Sequence, residues 1–231
     1  MFKCLSALIW SRKEILLANK QTAVMLLMPA GFIALYSFMF KDMPNSHDMI
    51  FGMVLPMISA MIGYVLPTLI AEEAEKNNQR TLILSGVKVW EYVIASLFIP
   101  FATVVVYLVA LPFALNIDLS NWVNYLAVSI LTSLVTILLY LAVALVCDTQ
   151  ARATISAMPV MMATMLLPMM AMMNEDMGKW ITYTHMGAYT KWNLQGAEYP
   201  LSDKSFWFLI LWLVVSVVLV FYFAKKKHLK K

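Results

Sequence analysis

Ionisable side chains are scarce in this chain. Only 13% of its 231 residues are charged, and it has three histidines. None of these residues falls inside any of six long apolar runs, Thr22–Phe40, Met49–Ala71, Tyr92–Leu115, Trp122–Cys147, Thr154–Met173 and Phe206–Ala224. Proton-driven transporters place ionisable groups within their spans, facing a cavity, so the absence argues against a proton gradient as the driving force. A sodium site made of carbonyls and hydroxyls alone stays open. His47, His185 and His228 lie outside the runs and far apart. The chain has no G-x-x-x-x-G-K-[ST] phosphate loop, no G-x-S-x-G and no H-E-x-x-H, so no catalytic constellation is present. Its two cysteines, Cys4 and Cys147, have no metal-ligand neighbours and imply no disulfide framework. Nor is there a long polar segment. The largest between the first five runs is about 20 residues, far below the size of a domain, so an ATPase domain is excluded and any energy must come from a partner.

What is abundant is apolar surface. The chain is 62% hydrophobic, with a mean hydropathy of +0.77, against roughly 45–50% apolar for soluble domains. Each run is about long enough to cross the hydrocarbon core as a helix, and helices are expected because lipid offers the backbone no hydrogen-bond partner. The predicted fold is all-α, a single six-span transmembrane unit over 1–231. The net charge of +4 does not point to nucleic acid, because the basic residues gather at the ends of the runs. If the N-terminus lies inside, 13 of the 17 Lys and Arg lie inside, leaving only Lys41, Lys179, Lys191 and Lys204 outside. That asymmetry places both termini in the cytoplasm of a multi-pass cell-membrane protein, and the Lys-rich, Arg-poor composition fits a bacterium. The apolar run Cys4–Trp10 is broken by Ser11–Glu14, unlike a signal peptide. Residues 1–21 read instead as an interfacial helix, with Phe2, Leu5, Ile9 and Leu16 on one side and Lys3, Ser6 and Lys13 elsewhere.

Between the second and third spans lies a charged island, residues 72–91. It opens with Glu72, Glu73 and Glu75 and continues through Arg80, Thr81, Leu82, Leu84, Ser85 and Val87 to Glu91. A solvated linker has no need of Leu82, Ile83 and Leu84. A short amphipathic helix docked on another surface does, with Gly86 as its stop. The same residues also fit the beginning of the third span at the interface.

The order of acidic cluster, T-L-x-L-S-x-V, W-E-Y and then an apolar span resembles the cytoplasmic loop of ABC-2 type transporter permeases. The matching positions are Glu73, Glu75, Thr81, Leu82, Leu84, Ser85, Val87 and Glu91. Gly86 stands where the family usually has proline, and Lys76–Arg80 separates the acids from Thr81 more widely than usual. The layout of interfacial helix, six spans and a long outer segment resembles the family over nearly the full length. The resemblance implies that residues 72–91 form a coupling helix seated in a separate ABC ATP-binding subunit. Glu72, Glu73, Glu75, Arg80, Thr81, Leu82, Leu84, Ser85 and Val87 would make that contact. It also implies a second permease chain, the same or different. This chain would bind no cofactor, and ATP and Mg²⁺ would belong to the partner subunit.

Nineteen methionines are unevenly distributed. Met49, Met53, Met57 and Met61 form an i, i+4 ridge on the second span, and the fifth carries Met158, Met161, Met162, Met165 and more. Methionine adapts to irregular partners, so Met53, Met57, Met61, Met158, Met161 and Met165 are candidates to line a substrate path. Plain packing or lipid contact is the other reading. Cu(I) binding by thioethers is a third, without a Cys or His nearby to help. Ser129, Thr132, Ser133 and Thr136 form a small polar face on the fourth span, suited to close helix packing. Prolines in the first, second, third and fifth spans can each kink a helix and free a carbonyl. The outer segment, residues 174–205, carries Trp180, Tyr183, Tyr189, Trp192 and Tyr199, residues that suit a membrane interface or short re-entrant helices. The sequence therefore reads as a permease subunit of an ATP-driven exporter of an amphipathic or hydrophobic substrate, such as a bacteriocin or toxin peptide. The alternative is a non-transporting immunity or sensor protein with the same fold.

Overall fold

The computed structural model describes residues 2–76 and 78–229, and among these there is no strand. The helices are α1 (Phe2–Ala18), α2 (Lys20–Met39), α3 (Ser46–Gly63), α4 (Val65–Glu75), α5 (Asn78–Leu84), α6 (Val89–Ala114), α7 (Trp122–Val146), α8 (Gln150–Met173), α9 (Glu175–Ile181), α10 (Gly187–Gln195) and α11 (Lys204–Leu229). Six segments are long and apolar enough to cross a membrane: α2, α3 with α4, α6, α7, α8 and α11. The chain is an all-helical membrane protein. In these helices the charged side chains fall in the first or last turns, where water or headgroups can reach them.

The bundle is layered from centre to edge. In α3–α4, 78% of the most apolar window is buried, against 11% in α2 and 17% in α11. α7 packs against α3, α4, α6, α8 and α11, and α2, α8 and α11 sit at the periphery. The polar face of α7 turns inward, with Ser129, Thr132, Ser133 and Thr136 buried. Thr136 donates to the Thr132 carbonyl at 2.9 Å. Among the described residues the hydroxyls of Ser129 and Thr132 have no partner, and these residues line a cavity of about 10 Å³ against α3, room for roughly one water.

The second span is two helices, not one. Pro67 has no N–H for the Gly63 carbonyl, and the helix breaks at Tyr64. Gly63 sits hard against α7, where a Cβ would come within 2.5 Å of the Tyr140 ring. The Tyr64 hydroxyl crosses to α8 and donates to the Thr154 carbonyl at 3.0 Å. At two of the other prolines, Pro112 and Pro56, the carbonyl freed four residues earlier is answered by a tyrosine from another helix. Pro112 leaves Leu108 open, and the Tyr125 hydroxyl donates to that oxygen at 2.6 Å. Pro56 leaves Gly52 open, and the Tyr189 hydroxyl donates to it at 2.8 Å. In lipid an orphaned carbonyl is costly, so these pairs fix the position of α7 on α6 and of α10 on α3.

Residues 174–205 depart from the expected aromatic belt. Trp180 and Tyr183 are exposed, but Tyr189, Trp192 and Tyr199 are buried. Trp192 meets Phe51 and Tyr125, and the Tyr199 hydroxyl lies 2.9 Å from Ser205 Oγ. Capping the Gly52 carbonyl draws α10 into the bundle, and its aromatics follow. His185 goes in with it. Its Nε2 lies 3.3 Å from Thr164 Oγ1, and burial pushes the imidazole pKa down to about 4.

α1 is turned only by part of a turn from the expected face, whose Leu5, Ile9 and Leu16 still pack inward. Leu8, Arg12 and Leu16 form its buried stripe, one residue per turn, with Leu5 and Ile9 half-buried. The side chains of Phe2, Lys3 and Cys4 lie outside the described residues. The rotation has an electrostatic cause, found at the end of α4.

Candidate functional site

The charged island splits between groups that the fold uses and groups that it presents. Glu73 is buried and ion-paired with Arg12 of α1. Tyr92 of α6 donates to Glu73 Oε2 at 3.0 Å, and its ring lies 5.2 Å from the guanidinium. Gln79 of α5 donates to the Tyr92 hydroxyl at 2.8 Å and to the Ile70 carbonyl at 3.1 Å. One buried polar cluster thus joins α1, α4, α5 and α6, and it is what turns Arg12 inward. Such a pair is a weak source of net stability but costly to halve. Glu75 accepts from the Gln150 N–H at the start of α8, at 2.7 Å, where the helix dipole favours an anion. Glu72 pairs with Lys76 one turn on. All three acids therefore bind within the chain, and Glu73 is turned away from any outer surface.

α5 ends as its Gly86 dictates. Gly86 takes φ +84°, and the Val87 N–H bonds back to the Leu82 carbonyl at 3.2 Å. Leu82 and Val87 pack together with Leu8 of α1 and Ala95 of α6. This is a Schellman stop with its apolar contact. Proline, fixed near φ −65°, could not make it. The middle of the island, α5, is thus a helix of its own, separated from α6 by this turn, rather than the beginning of the third span. Val87 is buried and Leu82 half-buried, while Thr81, Leu84, Ser85 and Gly86 face out, with Leu84 78% exposed. The Arg80 side chain lies outside the described residues. Beneath α5 is a pocket of about 40 Å³ bounded by Leu145 of α7 and Ala224 and Lys227 of α11, so displacement of α5 bears on the ends of two spanning helices.

At the far end of the bundle α3 and α8 flank a groove of about 500 Å³. Met49, Met53 and Met57 line one wall, and Met165, Met169, Met172 and Met173 the other. Of the six candidate path residues, the structure brings Met53, Met57 and Met165 together here. Met61, Met158 and Met161 lie outside the lining. The groove mouth is polar, with Tyr36, Asp48 and Asn193. Gly52 makes room for Asn193, since a Cβ there would stand 2.9 Å from its amide oxygen.

A family model described as ABC-2 family transporter protein matches residues 33–188. The chain belongs to that family. Its members are the transmembrane components of ABC transporters and are not themselves catalytic, so a membrane setting and an ABC ATP-binding partner follow. No curated protein and no solved structure matches. The matched stretch of this ABC-2 chain takes in α3 to α9, hence Glu73, α5 and both walls of the methionine groove. It leaves out α1, so Arg12 lies beyond it.

Sequence reasoning missed Arg12, Gln79, Tyr92 and the polar groove mouth. A signal for Arg12 was present, a lone arginine one turn from both Leu8 and Leu16. The partners of Gln79 and Tyr92 left no local trace.

Proposed function

We propose that this chain is the permease subunit of an ATP-driven exporter. Two permease chains pair in a bacterial cell membrane with both termini cytoplasmic, and residues 174–205 face outward. ATP and Mg²⁺ bind the partner subunit. Closure of that subunit pushes α5, and the movement reaches α1, α4 and α6 through Gln79, Tyr92 and Glu73. The cargo is an amphipathic or hydrophobic peptide of the bacteriocin or toxin kind, moved along the methionine groove, whose unbranched side chains repack around changing surfaces. The observation that carries the reading is α5. Its inner face is fastened to the bundle, and its outer face offers Thr81, Leu84 and Ser85 to a partner.

The test separates the two faces of α5. Leu84→Asp is expected to leave the chain folded, abolish pull-down of the ATP-binding subunit and stop export. Leu82→Asp is expected to loosen α1 as well, because Leu82 packs on Leu8. Full pull-down and export by Leu84→Asp would refute the contact. Orientation is tested by labelling single cysteines from outside. A cysteine at position 195 is expected to react and one at position 78 to be spared, and the reverse pattern would refute the topology.

A further inference from the structure

Asp48 stands in the first turn of α3 and borders two cavities at once. One is the methionine groove. The other is an outer vestibule of about 490 Å³, lined by Asn45, Ser46, His47, Asn116 and Asp118 besides Asp48. Among the described residues Asp48 is the only Asp, Glu, Lys or Arg on the groove wall, and no Lys or Arg lines either cavity. Among the described residues the carboxylates of Asp48 and Asp118 have no ion pair. Among the described residues the side chains of Tyr36, Asp48 and Asn193, the polar groups of the groove lining, make no hydrogen bond to the protein. Asn193 is nonetheless held in place, because α10 is anchored one turn away by Tyr189 on the Gly52 carbonyl. Unspent acceptors thus crown an apolar, adaptable trough, and two carboxylates line its approach.

We propose that this groove is a binding site for a cationic amphipathic peptide. Apolar side chains of the peptide lie between Met53, Met57 and Met165, and a Lys or Arg side chain meets Asp48 at the mouth. The proposal rests on the export reading and adds the sign of the cargo's charge. Charge decides because the vestibule concentrates cations by its field and because a carboxylate beside a low-dielectric wall repels an anionic twin. Methionine supplies the tolerance to apolar sequence and Asp48 supplies the selection.

The full-length chain in phosphatidylcholine nanodiscs tests this with two short fluorescent peptides, one of Leu and Lys and a charge-reversed twin of Leu and Glu. Binding is read by anisotropy, with empty discs subtracted. The Lys peptide is expected to bind and the Glu peptide not. Asp48→Asn is expected to weaken the Lys peptide about tenfold, Asp48→Glu to retain it, and Asp118→Asn to weaken it less, since Asp118 borders only the vestibule. High salt is expected to mimic Asp48→Asn. Equal binding of the two peptides, or no effect of Asp48→Asn, overturns the proposal. If binding is equal but Met53→Trp with Met165→Trp abolishes it, the groove is a path without charge selection, and only this inference fails. If filling the groove changes neither peptide, the export path fails too. Binding of neither peptide, as when a second chain or lipid closes the groove, overturns the proposal. So does retention of tetraphenylphosphonium but not of the peptide.

Discussion

Replacing Tyr189 by Phe removes one hydroxyl and keeps the ring among Trp192 and its neighbours. The Gly52 carbonyl then has no donor, because Pro56 brings none and both Gly52 and Tyr189 are buried. An unsatisfied buried acceptor costs about 1–3 kcal/mol in proteins generally. Interhelical hydrogen bonds inside a membrane average about 0.6 kcal/mol, with a maximum near 1.7. The higher end applies here, since no nearby backbone donor can replace the lost one, and a loss of about 1.5 kcal/mol is expected. Pro56→Ala supplies the missing N–H from within α3. In that background Tyr189→Phe is expected to cost almost nothing, giving a coupling of about 1–1.5 kcal/mol. Reversible unfolding of the purified chain in lipid–detergent micelles, titrated with dodecyl sulfate, reads all four corners of the cycle. If Tyr189→Phe costs the same in both backgrounds, within about 0.3–0.5 kcal/mol, the proline–tyrosine pairing is refuted.

Glu73→Ala strands the Arg12 guanidinium in the interior, at a cost of about 3–5 kcal/mol. The double change Arg12→Leu with Glu73→Leu is expected to recover most of it, read as hydrogen exchange over α1. Gly86→Pro is expected to loosen α5 by more than about 1 kcal/mol, because proline cannot take the positive φ found at Gly86. Exchange at the Val87 amide checks this. His185 carries a pH signature. Its folded pKa of about 4 lies below the unfolded value of about 6.5, so the unfolded chain takes up the proton first. Stability is full above about pH 6.5 and falls as pH drops toward 4, by roughly 3 kcal/mol in total. In His185→Gln the melting temperature is expected to lose that slope, and an unchanged slope would assign it elsewhere.

The spanning helices were legible because lipid demands long uncharged runs, and the stop of α5 because positive φ favours glycine. The break at Tyr64 was half legible. Pro67 could be seen, but the seat of Gly63 against Tyr140 depends on how α7 lies. Arg12 with Glu73, and Tyr189 with the Gly52 carbonyl, pair residues far apart in sequence, and no local pattern records such partners. Tyr189, Trp192 and Tyr199 misled for a related reason. Interface and core use the same aromatic residues, and distant partners decide between them, the freed carbonyl on α3 for Tyr189, and Ser205 and Asn124 for Tyr199. Asp48 carries no pattern of its own in the sequence, and only the fold sets it between a vestibule and a groove.

The layering from α3–α4 and α7 outward to α2 and α11 also sets how freely this sequence can drift. On α2 and α11 many apolar side chains are exposed, and where liquid hydrocarbon covers them it fits itself to any apolar shape, so exchanges among Leu, Ile, Val, Phe and Met there are expected to be nearly free. On α7 and α3 the neighbours are fixed rings and backbones, and a methylene gained or lost is felt. A pooled library of apolar exchanges, scored by surviving membrane-inserted protein, should therefore map the radius of the bundle. Tolerance would rise from the centre outward, and inherited variation should accumulate first in the helices that hold the least of the core.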